Sequence, residues 1–158
     1  MLDAVPEDLG HEIADALAVL LRRSVRSSLY RELTEGVGPG VDELTYPVLS
    51  GLARTGPCSA AELAVEIGLD RSGVSRRASR LEAEGLVRRE PDPRDARAIL
   101  LVLTRTGSDV VEITRGRLAD RIATDLSSWP EEQAQAFAAG LRHFVEQGPF
   151  SPRGAEER

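Results

Sequence analysis

The chain has one cysteine, Cys58, and no lysine; all 20 of its basic residues are arginine. A single thiol excludes an intrachain disulfide and any multi-thiolate metal site. The only two histidines, His11 and His143, are too few for a metal centre unless carboxylates join them across a dimer. No metal and no cofactor is expected. No apolar run exceeds the six residues of Ala98–Leu103, far short of the about 20 a membrane helix needs. The opening MLDAVPEDLG is acidic and lacks the basic-then-apolar order of a secretory signal, so a cytoplasmic protein without a membrane partner is expected. A Gly-rich phosphate loop, metal-spaced Cys/His sets and nucleophile motifs are missing, which argues against an enzyme.

What the chain does have is enough apolar character to fold. Its 158 residues are 41% hydrophobic, which suits one domain of ordinary size. The formal net charge of −6 at first speaks against nucleic acid, but it is unevenly spread. Between Arg71 and Arg97 stand eight arginines against five carboxylates, a local +3 that leaves −9 for the remainder. Base composition of the genome explains the exclusive use of arginine. Physically, it means that every cation can offer a two-pronged fork to phosphate or guanine.

Spacing predicts the elements. From Asp8 to about Glu35, Leu9, Ile13, Leu17, Leu20 and Leu21, then Val25, Leu29 and Leu33, recur as on one helix. The loop Gly36–Gly40 ends it. A helix follows from about Asp42 to Arg54, with Leu44, Val48, Leu49 and Leu52 inward and Pro47 tolerated in its first turns. Ser59 and Glu62 form a capping box for a short helix that Gly68 stops. Asp70 caps another, to about Glu84, which Gly85 stops. Leu86–Arg89 and Ala98–Leu103 read as antiparallel strands around the polar turn Pro91–Ala96. Thr104 caps a long helix, about Arg105 to Ser127. A second capping box, Ser128 to Glu131, opens a last helix to about Gln147. The tail from Gly148 is expected to fray.

Helix, helix, strand, turn, strand is the order of a winged helix-turn-helix, whose second helix presents its first residues to the major groove. In the Asp70–Glu84 helix, Val74, Ala78 and Leu81 share one face and should pack inward. The opposite face holds Ser72, Arg76, Ser79 and Arg80 and carries no acid. Arg76 is the leading base contact, because arginine to guanine is the commonest specific pair. Ser72 and Ser75 can reach phosphate or a base edge. Gly73 is costly in a helix, and close approach of DNA would explain it. In the turn, Arg94 stands at the tip, suited to a narrow minor groove. Asp92 or Asp95 can hold a guanidinium by a paired contact. A solvated helix face and an ordinary charged hairpin remain the plain alternatives for each piece alone.

The segment GPCSAAELAVEIGLDRSGVSRRASRLEAEGLVRREPDPRDARAILLVLTRTG, Gly56 to Gly107, resembles the DNA-binding core of the MarR family. The likeness lies in the ordered set: the GP loop, ELA, LDRSxVSR, LExxGLV, the DxRDxR wing and LTxxG. It implies a mainly α (α+β) fold: a winged helix-turn-helix over 42–104 with a two-stranded wing, flanked by dimerisation helices at 8–35 and 105–147, with a tail at 148–158. It implies Ser72, Gly73 and Arg76 in the major groove and Arg94 in the minor groove. The full DNA-contacting set is then Ser72, Gly73, Ser75, Arg76, Arg77, Arg80, Arg94 and Arg97, with Asp92 and Asp95 shaping the wing and Arg97 helping to anchor it.

The resemblance also implies a homodimeric, sequence-specific regulator of double-stranded DNA, commonly a repressor, on a near-palindromic operator. The apolar residues Val110, Val111, Leu118, Ile122, Leu126, Trp129, Phe137, Leu141, Phe144 and Val145 would interlock with the first helix across the dimer; filling a monomeric core is the alternative. It implies a pocket for a small aromatic or phenolic effector, which Tyr30, Tyr46 and Arg26 would line, with plain packing of the tyrosines as the alternative. Cys58 is read as a small buried thiol; cysteine-sensing members of the family carry the thiol in the first helix, which has none here. A metal-sensing winged helix and a protein-interaction module are the remaining alternatives. The first lacks ligands, and the second leaves the cationic helix face unexplained.

Overall fold

The computed structural model describes residues 7–148; the tail expected from Gly148 onward lies, beyond Gly148 itself, outside them. Among the described residues, seven helices and three strands follow one another. They are α1 (Glu7–Leu20), α2 (Arg23–Thr34), α3 (Tyr46–Thr55), β1 (Cys58–Ser59), α4 (Ala60–Ile67), α5 (Arg71–Ala83), β2 (Val87–Asp92), β3 (Asp95–Leu103), α6 (Arg105–Leu126) and α7 (Glu131–Gln147). The strands form one antiparallel sheet in the order β1-β3-β2. This is the expected mainly helical winged fold. The chain divides into two compact units, one ending at Arg117 and one beginning at Leu118, with the division inside α6.

The core of the first unit is built by the helix-turn-helix. Val74, Ala78 and Leu81 on α5 are wholly enclosed, as their spacing predicts, together with Val48, Leu49 and Leu63. Each such leucine or valine contributes about 1.5–3 kcal/mol by leaving water. Val87 and Leu101 from the sheet and Val110 and Val111 from α6 close the cluster, and Cys58 is part of it. The Ser59–Glu62 capping box is formed in both directions: the Ser59 N–H donates to Glu62 Oε2 at 2.8 Å and the Glu62 N–H to Ser59 Oγ at 3.2 Å. Gly68 ends α4 at φ +65°, a left-handed turn that glycine adopts without strain.

Four differences from the expected elements have physical causes. First, the helix expected over 8–35 is broken at Leu21–Arg22, where Arg22 is extended with ψ 131°. The apolar residues Leu9, Ile13, Leu17, Leu21, Val25, Leu29 and Leu33 recur strictly every fourth position. At 3.6 residues per turn each step drifts by about 40°, so one straight helix cannot keep them on one face and the break resets the phase.

Second, α3 starts at Tyr46 rather than Asp42, with Pro47 in its first turn. Leu44 therefore lies in the capping turn and is half exposed, not inward. Asp42 Oδ1 accepts the N–H groups of Leu44 and Thr45, each at 2.9 Å, which fixes that turn in place of a helical one.

Third, the strands are longer and the turn shorter. Only Pro93 and Arg94 separate β2 from β3. The ladder runs from Val87↔Leu103 to Pro91↔Ile99 and then shifts register before Asp92↔Asp95. Pro91 lies where the ladder breaks, so its missing N–H leaves no gap. Among the described residues no non-glycine has positive φ, so Pro93–Arg94 cannot form the primed turns that match strand twist, and the register shift takes up the difference. Strand β1, two residues long, pairs Cys58↔Leu101 and Ser59↔Leu100; it is too short to carry an alternation signal.

Fourth, in the second unit the capping box expected at Ser128–Glu131 is not formed. The N-cap of α7 is Pro130, and no side chain caps the helix. The serine hydroxyls turn back instead: Ser127 Oγ donates to the Thr124 carbonyl at 2.7 Å and Ser128 Oγ to that of Asp125 at 3.3 Å. The hydroxyl expected to cap α7, that of Ser128, is thus engaged by a carbonyl at the end of α6 instead. Trp129 packs on Phe137 with ring centroids 5.6 Å apart.

Candidate nucleic-acid interface

The start of α5 is organised by Asp70. Its Oδ1 accepts the Gly73 N–H at 2.7 Å and also the Ser72 hydroxyl. These two bonds, Ser72 first, hold the Asp70 carboxyl below its ordinary value. A β-carbon on Gly73 would stand 2.9 Å from Asp70 Oδ2, so glycine there leaves room for the cap. That gives Gly73 a reason within the chain, where sequence reasoning had looked to DNA alone. The first turn of α5 itself carries no acid; the anion at its positive end is the capping Asp70 carboxylate.

The structure sorts the arginines between Arg71 and Arg97 by what holds them. Arg76 is exposed, and among the described residues its guanidinium makes no hydrogen bond or ion pair, although its charge is felt at Asp70. Ser72 is exposed beside it and Ser75 is partly covered. Arg80, expected on the same outward face, donates instead to Asp42 Oδ2 at 2.9 Å. Arg77 turns inward: it is half-buried, and its Nη1 is enclosed without a hydrogen-bond partner. Arg89, which sequence reasoning did not single out, ties the wing to α5 by donating to Glu82 and, at 3.0 Å, to Ser79 Oγ. Arg88 pairs with Glu90 at 2.5 Å.

At the wing tip Arg94 is 86% exposed. Asp92 Oδ1 accepts the Arg94 backbone N–H at 2.8 Å and Asp95 Oδ1 that of Arg97 at 3.0 Å. Both aspartates therefore shape the turn through its backbone rather than by gripping a guanidinium in a two-pronged pair; the Asp92–Arg94 side-chain contact is a single one at 3.5 Å. The exposed Arg94 and Arg97 guanidiniums are left facing outward. The charge of Arg94 also reaches Glu62 at the start of α4, whose carboxyl is held low chiefly by the Ser59 backbone N–H.

A cavity of about 230 Å³ opens between α2, α3, α4 and α5, with Arg26, Tyr30, Pro47, Arg54, Ile67 and Arg77 among its walls. Arg26 and Tyr30, expected beside an effector, both line it. Tyr46 does not line the cavity; it is buried behind Tyr30, edge-on with centroids 5.2 Å apart. That burial, with Tyr30 beside it, raises the Tyr46 hydroxyl above its ordinary value. Arg54 is paired with Glu66 at 3.1 Å across the α3–α4 junction. Among the described residues no group of three or more His, Cys, Asp and Glu is placed to hold a metal, and no helix is long and apolar enough to cross a membrane.

Comparison with known proteins agrees with this geometry. A family model described as MarR family matches residues 40–98, the span from the loop before α3 through most of the wing. The chain is 29% identical over 118 residues to the HTH-type transcriptional regulator YxaD of Bacillus subtilis (strain 168), covering 75% of this chain and 82% of that one. It is 26% identical over 111 residues to the HTH-type transcriptional repressor NicR of Pseudomonas putida, covering 70% and 68% of the two chains. Among solved structures, a MarR family protein from Bacillus stearothermophilus superposes with a TM-score of 0.69 at 22% identity, covering 89% of this chain and 96% of that one. Over residues 40–98 the chain is thus similar to the MarR family, it has the fold of solved MarR family structures, and its likeness to HTH-type regulators supports a DNA-binding transcriptional regulator.

Proposed function

We propose that this protein is a cytoplasmic repressor that binds a near-palindromic operator as a homodimer, with α5 in the major groove and the β2–β3 hairpin in the minor groove. One observation carries the reading. Arg76 is exposed and, among the described residues, without a hydrogen-bond or ion-pair partner at the centre of the outward face of α5, while the opposite face of that helix is core. Ser72 and Ser75 flank it as polar contacts, and Arg94 and Arg97 supply the minor-groove and phosphate contacts; Gly73 is buried against its own cap and is left out of the contact set. Asp92 and Asp95 set the shape of the tip.

The dimer is supported by apolar surface. Leu9, Ile13, Leu20 and Leu21 are exposed on or beside α1, as are Ile122, Phe137, Leu141 and Val145 in the second unit. Residues 8–35 and 105–147 would then form the dimer arms, and 42–104 the DNA-binding module. Repression is supported by the likeness to a protein named as a repressor. Response to a small aromatic or phenolic acid is supported by the cavity, which Arg26, Tyr30 and Arg77 help to line. The cavity is walled partly by α5, so a bound acid would act directly on the reading helix.

The test is footprinting on the protein's own upstream DNA at stated salt, together with light scattering. Two protected half-sites about one helical turn apart are expected. Binding without sequence preference would overturn the readout, and a monomer at micromolar concentration would overturn the dimer.

A further inference from the structure

We infer that Asp42 is a positioning residue for the DNA-reading helix, and that Arg80 tethers that helix to it instead of touching DNA. The inference rests on the reading that α5 enters the major groove. Arg80 follows Arg76 by one turn, so its position alone would offer it to a phosphate. Two anions can compete for it, and the geometry favours the one inside the protein.

The Asp42 carboxylate is not free to turn. Its Oδ1 accepts two backbone N–H groups, from Leu44 and Thr45, each at 2.9 Å. That leaves Oδ2 aimed at Arg80 Nη2, at 2.9 Å. Thr45 locks the turn from beneath: it is fully buried, its hydroxyl donates to the Gly40 carbonyl at 2.8 Å, and it accepts the Asp42 N–H at 3.0 Å. The same loop meets α5 a second time. Gly40, at φ +74°, lies so close to the end of the helix that a β-carbon there would stand 2.7 Å from Glu84 Cγ. Partial burial pushes the Asp42 carboxyl up, but Arg80 and the N–H groups outweigh it and hold the carboxyl below its ordinary value. The loop before α3 thus grips the C-terminal half of α5, by charge at Arg80 and by close packing at Glu84. The N-terminal half, with Ser72 and Arg76, projects beyond that grip. A pair this exposed adds little to fold stability; its effect is on where the helix points.

Asp42→Asn keeps an oxygen for the two N–H groups and removes the charge facing Arg80, while Arg80→Gln removes the other half. The readout is the ratio of affinity for the footprinted operator to affinity for a random-sequence duplex of equal length. That ratio cancels the general gain from deleting an acidic charge near DNA. Each variant should lower the ratio by about 2- to 5-fold, the size a half-exposed ion pair supplies, and the double variant should lower it no further than either single one. The salt dependence of Arg80→Gln on the random duplex should match wild type. A salt slope smaller by about 1 in Arg80→Gln would make it a phosphate contact and overturn the inference, as would an unchanged ratio in Asp42→Asn. Arg76→Ala, run alongside, separates the two levels. If it leaves the ratio unmoved, α5 is not the reading helix and the inference falls with that reading.

Discussion

The carbonyl oxygen of Leu86 lies against Gly107, so close that a β-carbon there would stand 2.1 Å from it. The same carbonyl accepts the Thr104 N–H at 3.1 Å. The Thr104 hydroxyl donates to the Gly85 carbonyl at 2.7 Å and accepts the Gly107 N–H at 3.0 Å. Threonine and glycine three residues apart therefore pin the start of α6 to the corner between α5 and β2. The obstacle to a side chain is backbone, which cannot rotate away. Gly107→Ala should lower stability by about 2 kcal/mol or more, at the upper end of overpacking costs, measured by urea unfolding. An unchanged midpoint would show that α6 does not approach that corner.

Asp70 gives a prediction with a sign in pH. Its carboxyl is held below its ordinary value by Ser72 and the Gly73 N–H. A carboxylate with a depressed folded value stabilises the fold above its unfolded value and loses that effect as pH falls through the folded one. Asp70→Ala should therefore be less stable than wild type at neutral pH, and the gap should narrow as pH drops below about 4. Unfolding midpoints from pH 7 down to pH 2 measure it. A gap that stays constant to pH 2 would mean that the charged cap is not what holds the start of α5.

Phase and caps made most of the DNA-binding module legible before any coordinates. Val74, Ala78 and Leu81 were placed inward by spacing, and Ser59, Asp70 and Thr104 were placed as caps by residue type; all are found there. What escaped was whatever depends on a distant partner. Arg76 and Arg80 look alike on a helical wheel, yet Arg80 is bonded to a residue 38 positions earlier. Arg77 is one residue from Arg76 and turns the other way, into a cavity that several separate elements build. Strand β1 exists only because Leu100 and Leu101 lie beside it. The break at Leu21–Arg22 was open to view in the strict four-residue repeat, whose drift a straight helix cannot absorb. The open end of α7 was not, because the competing use of Ser127 and Ser128 lies on the preceding helix.

The proposed dimer arms carry their own test. In the second unit Ile122, Leu126, Phe137, Leu141 and Val145 line one apolar groove, and Leu141 is 49% exposed. An exposed apolar patch of this kind is suited to a partner. Leu141→Glu places a charge that must be desolvated if the groove is covered by a second copy. Light scattering at micromolar concentration should then fall from dimer to monomer mass, while the helical circular dichroism is kept. A variant that stays dimeric would remove this groove from the interface.

Arg76 and Arg94 are both exposed arginines, and DNA should tell them apart. Arg76 sits on a helix whose opposite face is wholly core, so its backbone is anchored by packing while its guanidinium stays available. In the proposed docking an arginine carried on an anchored helix can read one base pair, and Arg76→Ala should cost about 1–3 kcal/mol at the operator and relax preference at one position. Arg94 sits on a two-residue turn with 86% of its side chain exposed and one 3.5 Å contact to Asp92. A cation at so exposed a tip is better suited to the deeper negative potential of a narrow A·T-rich minor groove than to a hydrogen-bond pattern. Arg94→Ala should therefore weaken binding most on operators with A·T-rich flanks and least when those flanks are replaced by G·C. Titrations of both variants on one set of operator and flank substitutions, at a single stated salt, measure the two effects together. If Arg94→Ala lost equally on every flank, the wing would be a phosphate contact alone, and all the sequence preference would have to come from α5.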